Sequence, residues 1–359
     1  MTDVQGGGMA GLVAAARLRE LGHAAVVHEK GTRLGGSMLL SSGVIWRHRA
    51  WDDVRRECPG GDEALQRLVF DRLDEAISWL RGLGAPVVWE ETGNPLTVGT
   101  RFDPRGLTEV LAVRAGESEL ESAGIRAAPT ILCTGGFAAS SELVTRYIKP
   151  AAQLRLRASP WSTGDGLTHA VERGGALTGG LEEFYGRNMP DAPWDETQLV
   201  SASQLYGRFA RIFDEDGTEF FQAGDVSWSE TNVVQATARR PGARAFYLLD
   251  EAALARRVRD RTVAEIVEAA PSEAHVALAD LAFDPPAGTV KAVRVIASIT
   301  HTIGGLRVDE QARVLRTDGS AIEGLWAAGV DAGGLATGGY ASGLAQALVL
   351  GLAAAESAV

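Results

Sequence analysis

Hydrophobic residues recur along the chain in segments of strand and helix length. Residues 11–21 are rich in alanine and leucine, contain no proline, and predict a helix. Residues 23–29 are a short apolar run that ends in an acid and predicts a strand, whereas residues 61–83 have apolar side chains at helical spacing. Further apolar segments of strand or helix length lie at residues 130–137, 325–331 and 344–358.

The pattern changes between residues 181 and 298. Short polar strands, aromatic residues and arginine-rich segments replace the long apolar runs, and residues 251–270 predict a helix with arginines on its solvated faces. This change divides the chain into three segments, 1–180, 181–298 and 299–359.

Composition limits the class of protein. A chain of 359 residues, with 45% hydrophobic and 23% charged residues, is long enough for two globular domains. Its net charge of −11 disfavours nucleic acid and anionic membranes as partners. Cys58 and Cys133 have no metal-like spacing, and the sequence has no signal-peptide pattern and no apolar stretch of membrane-spanning length. We expect a cytoplasmic protein without a bound metal.

A glycine-rich turn precedes the first predicted helix. Gly6, Gly8 and Gly11 have the spacing G-x-G-x-x-G. In this pattern the first glycine permits a tight turn, the second lets the backbone approach a pyrophosphate, and the third lets the helix pack on the strand. Glu29 ends the next strand, where a carboxylate can bind an adenosine ribose. The spacing predicts a dinucleotide-binding turn.

The strand before this turn is unusual. Only Met1–Gln5 precede the glycines, and Asp3 and Gln5 are poor residues for a central strand. We expect the first strand to be short or distorted.

A second loop of glycine and serine follows Glu29. Lys30 begins it, Gly35-Gly36-Ser37 forms its centre, and Ser42-Gly43 ends it. With the first turn, this loop resembles the FAD-binding flavoproteins related to fumarate reductase and 3-ketosteroid dehydrogenase, the FAD-dependent oxidoreductase 2 family. The resemblance implies FAD as cofactor, with its ribose on the acid and its pyrophosphate and isoalloxazine edge along the loop. A single G-x-G-x-x-G gives no indication of a second domain for NAD(P)H.

The resemblance continues in later segments. Thr134-Gly135 ends an apolar run, and Asp165 lies in a T-G-D-G segment, where a helix cap is an equally good interpretation. Asp331 ends a strand whose final acid is implied to contact the ribitol chain. The last helix is implied to direct its N-terminal N–H groups at the flavin. The implied cofactor-binding residues are Gly6, Gly8, Met9, Ala10, Gly11, Glu29, Lys30, Gly35, Gly36, Ser37, Ser42, Gly43, Thr134, Gly135, Asp165, Gly329, Asp331, Ser342, Gly343 and Leu344.

The resemblance also implies the fold class, α/β. It implies a Rossmann-like FAD-binding domain made of residues 1–180 and 299–359. Residues 181–298 are implied to form an inserted α+β domain that caps the substrate.

The sequence departs from fumarate reductase at the expected catalytic arginines. After the segment 217–220 there is no arginine before Arg239, and Tyr340 stands near the last helix where another arginine is expected. Tyr340 with Gly343 resembles the tyrosine and backbone N–H that hold a carbonyl oxygen in ketosteroid dehydrogenase. His301 lies in an H-T-x-G-G motif and is implied to bind substrate.

The middle domain supplies further candidates that would face the pocket, namely Tyr185, Arg187, Gln204 and Tyr206. A tyrosine with a lowered pKa is a candidate base, and either Tyr185 or Tyr206 would serve. Core packing is an equally good interpretation of both tyrosines. The predicted catalytic set is Tyr340, His301, Tyr185, Arg187 and Tyr206.

We therefore predict an FAD-dependent dehydrogenase or reductase that acts on a C–C bond beside a carbonyl. Its substrate is expected to be a small carbonyl compound, steroid-like or carboxylic, and the sequence identifies no electron acceptor or donor. The alternatives are a flavin oxidase acting on C–N or C–OH bonds, and a catalytically silent FAD-binding protein. The short first strand and the compact segment 115–129 leave the silent protein open.

Overall fold

The computed structural model describes residues 1–126, 129–149 and 153–359, which form two compact units. The first unit comprises Met1–Leu143, Ala158–Glu183 and His301–Val359, and the second comprises Val144–Arg157 and Phe184–Thr300. Residues 127 and 128 of the compact segment 115–129 lie outside the described residues.

The α-helices of the described residues are α1 (Met9–Glu20), α2 (Gly36–Leu39), α3 (Trp51–Glu57), α4 (Glu63–Gly82), α5 (Pro104–Ala115), α6 (Ser141–Tyr147), α7 (Asp165–Glu172), α8 (Thr231–Ala238), α9 (Glu251–Leu254), α10 (Val263–Glu268) and α11 (Gly343–Ser357). In this part of the chain, no helix is both long enough and apolar enough to cross a membrane.

The strands of the same residues are β1 (Thr2–Gln5), β2 (Ala25–His28), β3 (Val44–His48), β4 (Val87–Trp89), β5 (Thr97–Phe102), β6 (Ser118–Glu119), β7 (Thr130–Leu132), β8 (Arg155–Leu156), β9 (Phe184–Pro190), β10 (Arg211–Phe213), β11 (Glu219–Phe221), β12 (Arg244–Leu249), β13 (Arg257–Val258), β14 (Arg261–Thr262), β15 (His275–Val276), β16 (Lys291–Thr302), β17 (Arg313–Leu315) and β18 (Ala321–Ala327).

The first unit is built on a sheet with the strand order β17-β18-β7-β1-β2-β6. Strand β1 lies at its centre and pairs in parallel with β2 and β7, so that Val4 is opposite Val27 and Ile131. The strand is short, as expected, but its register is regular and not distorted. Asp3 is tolerated there because its carboxylate contacts His28 Nε2 at 2.8 Å.

Helices α1 and α11 cover this sheet with small residues. Ala14, Ala15 and Ala354 are fully buried. A Cβ on Gly351 would lie 2.8 Å from the carbonyl oxygen of Ala10, so a larger residue would separate the two helices. The close contact holds the start of α1 firmly over the sheet. A separate three-stranded sheet of the same unit has the order β3-β5-β4.

The second unit is built on a sheet with the order β11-β10-β12-β16-β15, and β8 and β9 also pair with β16. The pairing explains why Val144–Arg157, expected in the first segment, belongs to this unit. Arg155 and Leu156 form strand β8 in parallel register with Ser298 and Ile299. The expected boundaries at 180/181 and 298/299 compare with observed boundaries at 183/184 and 300/301.

The helix expected over residues 251–270 is wrong. Two short helices, α9 and α10, are separated there by the hairpin of β13 and β14. Asp250 caps α9, and Thr262 caps α10 in a reciprocal capping box with Glu265. Between them Arg259 has a φ of 57°, which breaks the helical path.

Candidate functional site

The glycine turn of the first unit has the geometry that its spacing predicts. A Cβ on Gly6, whose φ is 105°, would overlap the carbonyl oxygen of Cys133. A Cβ on Gly11 would overlap the carbonyl oxygen of Gly6, so the third glycine lets α1 pack on the turn. Gly8 differs, because no atom lies within 4 Å of the position its Cβ would take. The turn is therefore packed behind Gly6 and Gly11 and open in front of Gly8.

Met9 and Ala10 are buried in the first turn of α1, and Gly8 caps that helix without a side-chain acceptor. The N–H groups at the start of α1 therefore lack a side-chain cap. A helix N-terminus of this kind attracts phosphate.

Glu29 is 7% exposed and lies at the end of β2 beside this turn. Its Oε2 accepts a hydrogen bond from Gly7 N at 2.7 Å, and its Oε1 accepts one from Gly31 N at 2.6 Å. Each carboxylate oxygen has two lone pairs, so both keep capacity for a ribose hydroxyl. The acid that the sequence singled out also fastens two glycine loops together.

The second glycine loop lies directly on the first. Gly35 N donates to the carbonyl oxygen of Gly7 at 2.8 Å, and a Cβ on Gly36 would lie 3.2 Å from Gly8 Cα. Ser37 Oγ accepts a hydrogen bond from Ser159 N at 3.1 Å. Further along, Gly43 N donates to Ser41 Oγ and Ser42 O accepts from Arg101.

Asp331 organises the turn after β7. It is fully buried and accepts hydrogen bonds from Thr134 N, from Thr134 Oγ1 at 3.1 Å and from Gly136 N at 3.0 Å. Burial raises the pKa of this carboxyl, against the opposing effect of these donors. Gly135 has a φ of 90°, and the turn needs glycine there. The acid implied to contact the ribitol chain thus also holds the turn after β7 in place.

Lys30 and Asp165 lie together. Lys30 Nζ donates to Asp165 Oδ2 at 2.8 Å and to Thr163 Oγ1 at 2.7 Å. Asp165 is the first residue of α7, and Gly164 holds the cap position, so the helix-cap interpretation of Asp165 is wrong. Their predicted contacts with the cofactor stay predictions.

The start of α11 brings two predicted catalytic residues together. Ser342 caps the helix by accepting from Ala345 N, and a Cβ on Gly343 would lie 3.0 Å from His301 Nε2. The rings of His301 and Tyr340 have centroids 5.9 Å apart. Leu344 is half-buried in the same first turn of the helix. The carbonyl oxygen of Gly329 accepts a hydrogen bond from Gln346 Nε2 at 2.9 Å.

Sequence analysis missed the aromatic residue on the other side of Tyr340. Trp46, in β3, has its ring centroid 5.8 Å from that of Tyr340, and His48 lies 5.4 Å from Trp46. Trp46 and His48 are two positions apart on one strand and so share a face, which is the signal that their spacing offered. Burial lowers the pKa of His48.

Burial favours the neutral imidazole of His301. Burial lowers its pKa, with the Thr302 carbonyl opposing the shift. Its Nδ1 lies 3.0 Å from that carbonyl oxygen, which only accepts, so the proton is assigned to Nδ1. Nε2, the nitrogen beside Gly343, is then the basic one.

The second unit holds the other predicted catalytic residues. Tyr206 is fully buried, and its hydroxyl donates to Gln204 Oε1 at 2.5 Å. Burial raises the pKa of Tyr206, so a lowered pKa at this tyrosine is wrong. Tyr185 lies under the guanidinium of Arg187, with 4.9 Å between Arg187 Cζ and the ring centroid.

A buried acid beside these residues escaped sequence analysis. Glu230 is 2% exposed, has a φ of 55°, and accepts from Gly207 N at 3.0 Å. Burial raises its pKa to about 7, although the charges of Arg187 and Arg208 oppose the shift. It stands just before α8, where no motif marks it.

The first unit fits FAD. Backbone atoms pack closely against Gly6 and Gly11, whereas the space in front of Gly8 is open. A buried acid, Glu29, lies at the end of the strand that follows. The residues that would hold FAD are those of the two glycine loops, Glu29 and the turn at Thr134.

The chain matches the model of the FAD binding domain family over residues 4–118 and 108–343. It therefore belongs to that family, and its cofactor is FAD, as predicted.

Particular relatives are more distant. The chain is 23% identical to the NADH:fumarate oxidoreductase of Klebsiella pneumoniae (strain 342), over 97% of this chain and 46% of that protein. It therefore spans about half the length of this curated relative.

Two solved structures share the fold. A flavocytochrome c3 fumarate reductase in an open conformation is 19% identical in sequence, with a TM-score of 0.73. The superposition covers 100% of this chain and 78% of the flavocytochrome chain. The 3-ketosteroid Δ1-dehydrogenase of Sterolibacterium denitrificans, in complex with 1,4-androstadiene-3,17-dione, is 15% identical in sequence, with a TM-score of 0.73. The superposition covers 99% of this chain and 98% of the dehydrogenase chain. These similarities confirm the predicted α/β fold class.

Proposed function

We propose that the protein is an FAD-dependent oxidoreductase that dehydrogenates or reduces a C–C bond beside a carbonyl group. The observation that carries this proposal is the meeting of His301, Tyr340 and the start of α11 in the first unit. The distant similarity to a fumarate reductase and a ketosteroid dehydrogenase also supports it, because both names denote redox chemistry at such bonds.

Tyr340 and Gly343 would bind the substrate carbonyl. A phenol hydroxyl and a backbone N–H at a helix N-terminus both donate to oxygen, and the helix dipole adds a positive potential there. Negative charge grows on that oxygen as the neighbouring carbon loses its proton, so the two donors act mainly in the transition state.

His301 would move the proton. Its Nε2 is the basic nitrogen of a neutral ring, since Nδ1 donates to the Thr302 carbonyl. This assignment replaces Tyr206, whose hydroxyl is buried and bonded to Gln204. FAD, when bound, accepts or supplies the hydride.

The test is Tyr340→Phe, which removes the hydroxyl and keeps the ring. We expect the variant to retain its FAD content, while anaerobic flavin reduction by a panel of cyclic ketones, and flavin oxidation by enones and unsaturated carboxylates, slows about 10²–10³-fold. Tyr147→Phe, in the second unit, is the matched control and should react at the wild-type rate.

The outcomes separate the alternatives. A Tyr340→Phe variant that reacts as fast as wild type would remove the carbonyl-binding role. Reaction of the wild type with amines or alcohols alone would favour a flavin oxidase. A wild type that binds FAD and reacts with no compound of the panel would favour a silent FAD-binding protein.

A further inference from the structure

Trp161 lies against Gly31, next to the acid at the end of β2. A Cβ on Gly31 would lie 2.6 Å from Trp161 Cε3, 2.7 Å from its Cδ2 and 2.9 Å from Glu29 Oε1. Gly31 is not among the glycines with positive φ, so the indole ring, and not the backbone conformation, requires glycine here. Trp161 itself is only partly buried.

The segment around Trp161 is held from three sides within the first unit. Ser159 N donates to Ser37 Oγ at 3.1 Å in the second glycine loop. Ser162 O accepts from Ala139 N at 2.9 Å, and Gly164 N donates to Gly136 O at 2.9 Å beside the turn that Asp331 holds. Lys30 Nζ also holds this segment by donating to Thr163 Oγ1 and Asp165 Oδ2. The backbone that carries the indole is therefore fixed before any ligand binds, which lowers the entropy cost of binding.

We propose that Trp161 binds the adenosine half of FAD by stacking on its adenine. Glu29 is the acid expected to hold the ribose, and the adenine is bonded directly to that ribose. A purine held in this way comes within reach of a ring that borders Glu29. Indole faces are large and apolar, and nucleobases stack on them without needing a specific hydrogen bond. The proposal rests on FAD as cofactor and not on the reaction proposed above.

A packing role for Trp161 predicts something different. If the indole only filled space over Gly31, its loss would loosen the segment 159–166 and weaken every flavin equally. Stacking on adenine concerns only ligands that contain adenosine. FAD, ADP and FMN therefore distinguish the two roles, because FMN has the flavin and a phosphate but no adenosine.

The test measures dissociation constants of FAD, ADP and FMN for the apoprotein. We expect Trp161→Ala to bind FAD and ADP about 10- to 100-fold more weakly than wild type, with FMN affinity unchanged. Trp161→Phe retains an aromatic face and should recover most of the loss. Trp228→Ala removes a partly exposed indole of the second unit, which lies over Arg208, and should leave all three constants unchanged.

Two results would overturn the proposal. One is wild-type affinity of Trp161→Ala for both FAD and ADP. The other is an equal loss of FAD and FMN affinity together with a lower unfolding temperature of the apoprotein, which assigns the indole to packing. Tyr340→Phe tests the reaction separately, since that variant is expected to keep its FAD.

Discussion

The two units of this protein use polar side chains differently. In the first unit, Glu29 and Asp331 are buried acids that bind backbone N–H groups and thereby shape the turns around an FAD site. In the second unit, Tyr206, Asn188 and Glu230 are buried among other polar groups of the same unit. Polar residues of the first kind follow glycine motifs, whereas those of the second kind stand in no motif. The contrast explains why the cofactor was predicted and Glu230 was missed.

The contrast extends to backbone strain. The left-handed positions of the glycine turns, such as Gly6 and Gly35, are filled by the residue that tolerates them. Glu230 takes a left-handed φ of 55° with a full side chain and a buried carboxyl group. Such strain persists only where the surroundings enforce it. We expect the first unit to respond to mutation in ligand binding and the second unit in stability.

Glu29→Ala is expected to have the largest effect. Two charge-assisted ribose bonds contribute on the order of 1.5–3 kcal/mol each, so FAD affinity should fall roughly 10²–10⁴-fold. The apoprotein should stay folded, because Glu29 adds no apolar surface to the core and Gly35 N still donates to the carbonyl oxygen of Gly7. Titration of apoprotein with FAD, followed by flavin fluorescence, measures the loss.

Glu119→Ala is the matched control for this change. It removes a carboxylate at the edge of the same sheet, where Glu119 contacts His28 and Arg126, and should leave FAD affinity unchanged. Unchanged FAD affinity in Glu29→Ala would make Glu29 a purely structural link between the two glycine loops.

Glu230→Gln, in contrast to Glu29→Ala, should change the stability of the protein and leave its FAD affinity unchanged. The pKa of Glu230 is raised from 4.5 to about 7, so the folded state holds its proton more tightly than the unfolded state. This favourable contribution is complete below about pH 4.5 and is lost as pH rises through 7. Relative to wild type, the variant should therefore gain about 3 kcal/mol of unfolding free energy between pH 4.5 and pH 8. Urea unfolding across this range measures the gain, and FAD affinity should not change.

Glu219→Gln is the comparison for Glu230→Gln, because the pKa of Glu219 is shifted in the opposite direction. The hydrogen bond from Arg211 lowers the pKa of Glu219, so the stability it contributes is present above its unfolded pKa and lost at low pH. Its loss should destabilise the protein slightly at neutral pH. A Glu230→Gln variant that follows the same trend would show that Arg187 and Arg208 outweigh burial at Glu230.

The pair Lys30–Asp165 should have the smallest effect. The two side chains are 46% and 40% exposed, and exposed pairs of this kind contribute about 0.2–1 kcal/mol. A double-mutant cycle of Lys30→Ala and Asp165→Ala, measured by unfolding with and without FAD, gives this coupling. Equal coupling in both states would make the pair structural, and a change on adding FAD would support the predicted contacts of either residue with the cofactor.

The sequence alone determined the first unit's nucleotide site to a large extent. Gly6, Gly8 and Gly11 are dictated by local backbone geometry, and Glu29 follows because a strand of fixed length ends there. Short-range requirements of this kind are written in a few consecutive residues, so a sequence pattern is sufficient to find them. The prediction of one helix over residues 251–270 was wrong. Thr262 begins a new helix there and Arg259 has a left-handed φ, so the segment is divided although its composition is continuous.

Only the tertiary structure decided which distant residues meet and how deeply they are buried. Tyr206 has a raised pKa because the second unit surrounds it completely, and no local pattern records that burial. Likewise, Trp46 reaches Tyr340, and Trp161 reaches Gly31, across long stretches of chain. Desolvation and ring contacts depend on groups that folding brings together from far apart in the sequence. The glycine turn and Glu29 could therefore be proposed as cofactor-binding residues from the sequence, whereas the protonation and neighbours of the candidate catalytic residues required the fold.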